Sequence, residues 1–212
     1  ADVVIYICGL SQCIEGEEGQ QEGVTQGRHS QGDRVDISLP KGQETLLKAL
    51  YETGTPIMLV LLSGSAVALN WAEEHLPAIL VAWYPGEEGG SAIADVLFGD
   101  YNPAGRLPIT FYKSVDDLPA FEDYRMEGRT YRYFRGETLY PFGYGLSYTR
   151  FAYRNLELNA SSITPTQTLK ISVEVQNIGK RAGEEVVQVY VSDIAASVPT
   201  PIRQLKSFKR IH

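Results

Sequence analysis

Three short apolar runs separated by helix-length segments constrain this chain more than any other feature. Val3, Val4, Ile5, Tyr6 and Ile7 follow one another without interruption inside a strand pattern over residues 2–9. Residues 56–62 read PIMLVLL and residues 78–83 read AILVAW. Unbroken β-branched and apolar runs of this length mark strands buried on both faces, as in a parallel sheet. Pro40 precedes a helix over residues 42–53, in which Leu46, Leu47 and Leu50 share one face; Gly54 and Pro56 end it. A short helix over 65–74 follows the second run, and another over 88–98 follows the third. Strands alternating with helices at this spacing predict an α/β sandwich with a mostly parallel sheet.

The texture changes near residue 150. Residues 151–158, 169–175 and 185–191 alternate apolar and polar side chains, with Val187, Val189 and Val191 on one face and Asn177-Ile178-Gly179 as a turn between strands. This is the pattern of an antiparallel β-sandwich. A strand pattern also occupies the last residues, 204–212. The expectation is an incomplete sandwich with an open edge and a bare apolar face, hence prone to aggregate. The first strand pattern begins at residue 2 without an initiator methionine, so the chain reads as a piece of a longer polypeptide.

A net charge of −7 disfavours nucleic acid and anionic membrane as partners, because both require a basic patch. No apolar run is long enough to span a bilayer. Cys8 and Cys13 are too few for a disulfide framework, and with His29, His75 and His212 scattered, no metal site is expected. Cys8 closes an apolar run and reads as a buried free thiol.

Two loops merit a chemical reading. In open α/β sheets, functional groups gather beyond the carboxyl ends of the strands. Cys13-Ile14-Glu15-Gly16-Glu17-Glu18-Gly19 leaves the first strand there and crowds three carboxylates together. Their repulsion favours one of them holding a proton near neutral pH, as a general acid must. By itself, however, such a cluster reads as a solvated acidic loop. Pro85-Gly86-Glu87-Glu88-Gly89-Gly90 lacks the G-x-G-x-x-G spacing, and its two carboxylates would repel a phosphate. It reads as a tight strand-to-helix turn, with Glu87 and Glu88 favouring the positive end of the helix.

The aromatic and glycine-rich strings carry a resemblance. Residues 99–112 read GDYNPAGRLPITFY, residues 129–134 read RTYRYF, and residues 139–149 read LYPFGYGLSYT. In this order they closely resemble the carboxy-terminal part of family 3 glycoside hydrolases, the exo-acting β-glucosidases and β-xylosidases, over nearly the whole chain. The resemblance implies an α/β domain at 1–113, a linker at 114–149 and a truncated fibronectin type III-like domain at 150–212. It implies retaining hydrolysis of a terminal β-linked sugar, most closely in the β-xylosidase-like branch, with β-glucosidase the near rival and a non-catalytic carbohydrate-binding module the alternative from another class. In this family the acid/base glutamate lies in a Glu-small-Glu segment ahead of a Gly/Asp-Arg element, here Gly32-Asp33-Arg34 followed by Ile37, Leu39, Pro40 and Gln43. That maps the acid/base to Glu17, with Glu15 and Glu18 as alternatives, because residues 19–31 form an insertion that blurs the alignment.

The nucleophilic aspartate would come from a preceding (β/α)8 barrel that these residues do not contain. No cofactor and no metal is implied. The partners implied are a β-xyloside or β-glucoside and the barrel itself, in the periplasm or outside the cell. Arg129, Tyr131 and Tyr133 are expected to anchor the linker, and Trp71 and Trp83 to pack in the core.

Overall fold

A computed structural model describes residues 1–15 and 34–212. Three parallel strands, β1 (Val4–Gly9), β2 (Ile57–Leu62) and β3 (Ala78–Val81), lie in the order β1-β2-β3. The register pairs Val4 with Ile57 and Met58 with Ala78. β2 is central, and Ile57, Leu59, Val60 and Leu61 are all essentially inaccessible to solvent, so residues on both of its faces are covered. One short helix, α1 (Gln12–Glu15), follows β1. Helix α2 (Lys41–Tyr51) precedes β2, α3 (Asn70–His75) lies between β2 and β3, and α4 (Gly89–Phe98) follows β3. Leu47 of α2 and Ala72 of α3 join Leu59 and Leu61 in a single core with Phe111.

Four expectations are corrected by the packing. β1 is not buried on both faces: Val3, Ile5 and Ile7 are exposed while Cys8 is buried. Among the described residues β1 is an edge strand, so its side chains do not share the double cover of β2. In α2 the inward residues are Leu47 and Leu50, whereas Leu46 is 52% exposed, because the core touches a narrower stripe than three leucines occupy. The second helix starts at Asn70, not at residue 65, since Ala68 is engaged in a parallel bridge with Ser38. The third strand ends at Val81, before a left-handed residue, Trp83 (φ 57°).

The segment after α4 is tied together by the aromatic strings. Phe111 of β4 (Phe111–Tyr112) pairs with Tyr140 of β5 (Thr138–Tyr140), and α5 (Thr130–Tyr133) lies between them in sequence. The Gly143 N–H donates to Leu107 C=O and the Leu107 N–H to Tyr144 C=O, both at 2.8 Å. Gly143 has φ 81°, a conformation that favours glycine. Tyr131 stacks on Phe142 at 4.2 Å, and Tyr140 on Tyr144 at 5.3 Å. The strings therefore build the joint between the two parts of the molecule.

Beyond the joint lie two antiparallel pairs. β6 (Phe151–Leu158) pairs with β7 (Ile171–Asn177), and β8 (Glu185–Val191) pairs with β9 (Gln204–Ile211). Leu156, Leu158 and Phe208 stay exposed. Arg106 fastens this part to the rest through a bidentate contact with Glu185 of β8, at 3.0 and 3.1 Å. Asn102 adds a bond to Ala182 C=O at 2.9 Å, and Tyr131 accepts the Leu205 N–H at 3.1 Å. Among the described residues, no helix is long and apolar enough to cross a membrane.

Candidate active site

Because β1, β2 and β3 run parallel, their carboxyl ends lie along one edge, and the three loops that leave them meet there. The end of β1 is held first. Gln43 of α2 clamps Gly9, accepting its N–H at 2.8 Å and donating to its C=O at 2.9 Å. The Tyr6 hydroxyl adds a bond to the Gln43 backbone carbonyl at 2.9 Å. A primary amide suits this place, since one side chain offers both a donor and an acceptor.

From that anchor the chain turns through α1 to Glu15, whose carboxylate meets the other two loops. Ser65, just past β2, donates its hydroxyl to Glu15 Oε1. Tyr84, just past β3, donates its phenol to Glu15 Oε2, and the Gly64 N–H approaches the same oxygen at 3.3 Å. Arg34 closes the group, donating to Ser65 Oγ at 3.3 Å and to Ser38 C=O at 3.2 Å. The Ser65 hydroxyl thus donates to the carboxylate while accepting from the guanidinium, the two roles a hydroxyl can combine. Burial pushes the Glu15 carboxyl up, but the bonds from Ser65, Tyr84 and Gly64 and the charge of Arg34 outweigh it, and the net shift is downward. Partial burial, reinforced by Glu15, raises the Tyr84 phenol to about 12.

Local backbone geometry puts these groups in reach. Trp83 adopts a left-handed φ that a bulky residue rarely takes, at a cost on the order of 1–3 kcal/mol. Its indole remains against Phe111, with centroids 6.1 Å apart, and helps hold that conformation. The next residue, Tyr84, reaches over Gly64. A Cβ at Gly64 would lie 2.7 Å from Glu15 Oε2 and 2.8 Å from the Tyr84 ring, so the contact depends on glycine.

A groove of about 760 Å3 opens beside the cluster. Glu15, Arg34 and Ser65 line it together with Tyr131, Arg132 and Phe142. Polar groups and stacked aromatic rings in one groove can offer a sugar both hydrogen bonds and a flat face.

Of the expected site residues, Glu15 and Arg34 are brought together at this edge. Glu17, Glu18, Gly32 and Asp33 lie outside the described residues. Tyr131 ties its segment to β9 by accepting the Leu205 N–H at 3.1 Å, whereas Arg129 donates to the Ala120 and Asp123 carbonyls of its own segment at 3.0 and 2.7 Å. Trp71 and Trp83 pack against the core. Pro85 to Gly90 forms a turn, closed by the Gly89 N–H on Gly86 C=O at 3.0 Å. Cys8 is buried, and burial pushes its thiol up to about 12. Ser65 and Tyr84 escaped the sequence reading. Their signal was available: each sits within three residues of the end of an apolar strand, the place where parallel sheets collect function.

Comparison with known proteins gives this edge a context. The family model for the glycosyl hydrolase family 3 C-terminal domain matches residues 1–148, and that for the fibronectin type III-like domain matches residues 185–212. A xylan 1,4-beta-xylosidase of Xylanibacter ruminicola is 45% identical over 98% of this chain, and a periplasmic beta-glucosidase of Salmonella typhimurium is 41% identical over all of it. The chain spans 23% and 28% of those two proteins, about a quarter of their length. Among solved structures, a β-glucosidase from Erythrobacter marinus superposes with a TM-score of 0.81 at 39% identity, covering 100% of this chain and 27% of its own. A β-glucosidase from Listeria innocua in complex with gluconolactone gives 0.80 at 30% identity, covering 99% of this chain and 29% of its own. A family match over more than half of the chain, with relatives and structures agreeing along its whole length, establishes that the chain belongs to glycosyl hydrolase family 3 as its C-terminal domain, continued by fibronectin type III-like sequence.

Proposed function

We propose that the chain supplies the general acid/base to a retaining exo-β-glycosidase, with Glu17 in that role and the nucleophilic aspartate on a preceding barrel. The observation that carries this reading is the convergence of three strand-end loops on Glu15, two residues before Glu17, at the carboxyl edge of the parallel sheet. In such a reaction the acid protonates the departing glycosidic oxygen while the aspartate attacks the anomeric carbon. The same glutamate, now a carboxylate, then takes a proton from the water that releases the sugar. The domain division that fits this role is an α/β domain at 1–113, a linker at 114–149 and a fibronectin type III-like domain at 150–212.

The substrate is a terminal β-linked sugar. β-Xylosides are the first choice, because the 45% identical relative is named a xylan 1,4-beta-xylosidase; β-glucosides are the second, after the 41% identical one. The periplasmic name of the latter supports a location in the periplasm or outside the cell.

The test uses the polypeptide that joins this chain to its barrel, with Glu17→Gly, an activated aryl β-xyloside and added azide. Azide attacks the anomeric carbon of the glycosyl-enzyme, the bond to the aspartate breaks, and the carboxylate leaves free. Loss of activity on xylobiose, with azide rescue on the aryl β-xyloside and a β-xylosyl azide product, is the expected outcome, since the activated leaving group needs no acid and the anion needs no base. Full activity of Glu17→Gly on xylobiose would remove Glu17 from the role.

A further inference from the structure

We propose that Glu15 is a positioning residue: its carboxylate, pinned by Ser65, Tyr84 and Gly64 and faced by Arg34, fixes the point from which the chain carries the acid/base into the site. The inference deepens the reading above and rests on it. Three observations carry it.

The first is the number of independent loops that hold one carboxylate. Glu15 oxygens accept from Ser65 Oγ, Tyr84 Oη and, at 3.3 Å, the Gly64 amide, which come from two strand-end loops other than its own. Arg34 joins the same Ser65 hydroxyl at 3.3 Å, so the residues on either side of positions 16–33 are fastened to a single side chain. A catalytic group must be held within a fraction of an ångström, and such precision comes from supporting shells built on rigid elements. The second is the cost accepted to build the cluster. Trp83 sits at φ 57°, and Gly64 leaves no space for a methyl group between Glu15 and Tyr84. Strain of this kind persists where the surroundings over-determine a site.

The third is chemical. Donors on both oxygens and a guanidinium alongside favour the ionised carboxylate, the opposite of what a general acid requires before the reaction. Glu15 is therefore suited to hold and not to protonate. Arg34 and Tyr84 are the charged and titratable groups facing Glu15 among the described residues.

The experiment compares Glu15→Gln, Tyr84→Phe and Glu17→Gly in the barrel-containing polypeptide, on xylobiose and on an activated aryl β-xyloside. Glu15→Gln keeps the shape of the side chain but loses the charge and one acceptor. It should lower kcat on xylobiose about 10- to 100-fold with KM changed less than about threefold, the range a small misplacement of a reacting group costs. Azide should not rescue it, because the acid/base carboxylate is still present. Tyr84→Phe is the milder variant and should lower kcat in the same direction by a smaller factor, with a double mutant less than additive.

Wild-type kcat on xylobiose in Glu15→Gln and Tyr84→Phe would overturn the proposal. So would azide rescue of Glu15→Gln with a β-xylosyl azide product, which would make Glu15 the acid/base itself. A fall in thermal stability matching the loss of activity in both variants would overturn it too, leaving Glu15 a folding residue. The Glu17→Gly arm reports separately: its failure to lose activity removes the Glu17 assignment, while the Glu15 readouts still decide whether Glu15 positions the catalytic glutamate.

Discussion

At Glu15, hydrogen bonding wins over burial, and the winner sets how the site responds to pH. The folded-state pKa lies below its ordinary value of 4.5. The ionised contacts therefore add stability above that value and lose it as pH falls through the folded pKa. Wild type and Glu15→Gln should differ most in denaturant midpoint at neutral pH, and the two curves should converge as pH falls through the lowered folded-state pKa of Glu15. A constant difference from pH 7 down to pH 3 would mean that the charge of Glu15 contributes nothing. The family resemblance mapped the acid/base to Glu17 with Glu15 and Glu18 as alternatives, but how Glu15 is held was not legible, because Ser65 and Tyr84 lie 50 and 69 residues away. Gln43 differs: its place after Leu39 and Pro40 was visible, but its amide clamp on Gly9 was not.

At the scale of elements, α2 shows how period and packing divide the work. The 3.6-residue period located a helix and its apolar side, yet gave three leucines equal weight. Packing gives Leu47 1% exposure and leaves Leu46 52% exposed. Leu47→Ala should cost roughly 2–5 kcal/mol, a large-to-small change in a closed core, whereas Leu46→Ala should stay within about 0.5 kcal/mol. Urea denaturation of both variants checks the contrast, and similar costs would mean that the face is assigned wrongly. The strands repeat the lesson. Central β2 is buried on both faces as its continuous run predicts, while β1 carries the same kind of run at the edge and exposes Ile5 and Ile7. Apolar periodicity reports the capacity for burial, and position in the sheet decides whether it is used.

Over the whole molecule, the joint between the α/β part and the strand pairs depends on few contacts, and Arg106 with Glu185 is the most enclosed. Their side chains are 12% and 11% exposed, with both carboxylate oxygens engaged by one guanidinium nitrogen. Removing either partner leaves a charge without its counterpart in a nearly dry place, so Arg106→Ala or Glu185→Ala should each cost roughly 3–5 kcal/mol. Arg106→Met with Glu185→Leu together should recover most of that loss, because the desolvation cost of both charges disappears. Thermal unfolding followed by tyrosine fluorescence measures it, and a double variant as unstable as the sum of the singles would show that the pair is not coupled. The sequence by itself determined the two architectures, the order of strands and helices and the family, since these follow from hydrophobic periods, turn residues and long ordered strings that are local in the chain. Only the tertiary structure decided how Glu15 is held, which leucine faces the core and what the aromatic strings connect. Those properties depend on groups dozens of residues apart that share a low-dielectric space, and no local pattern records which of them will meet.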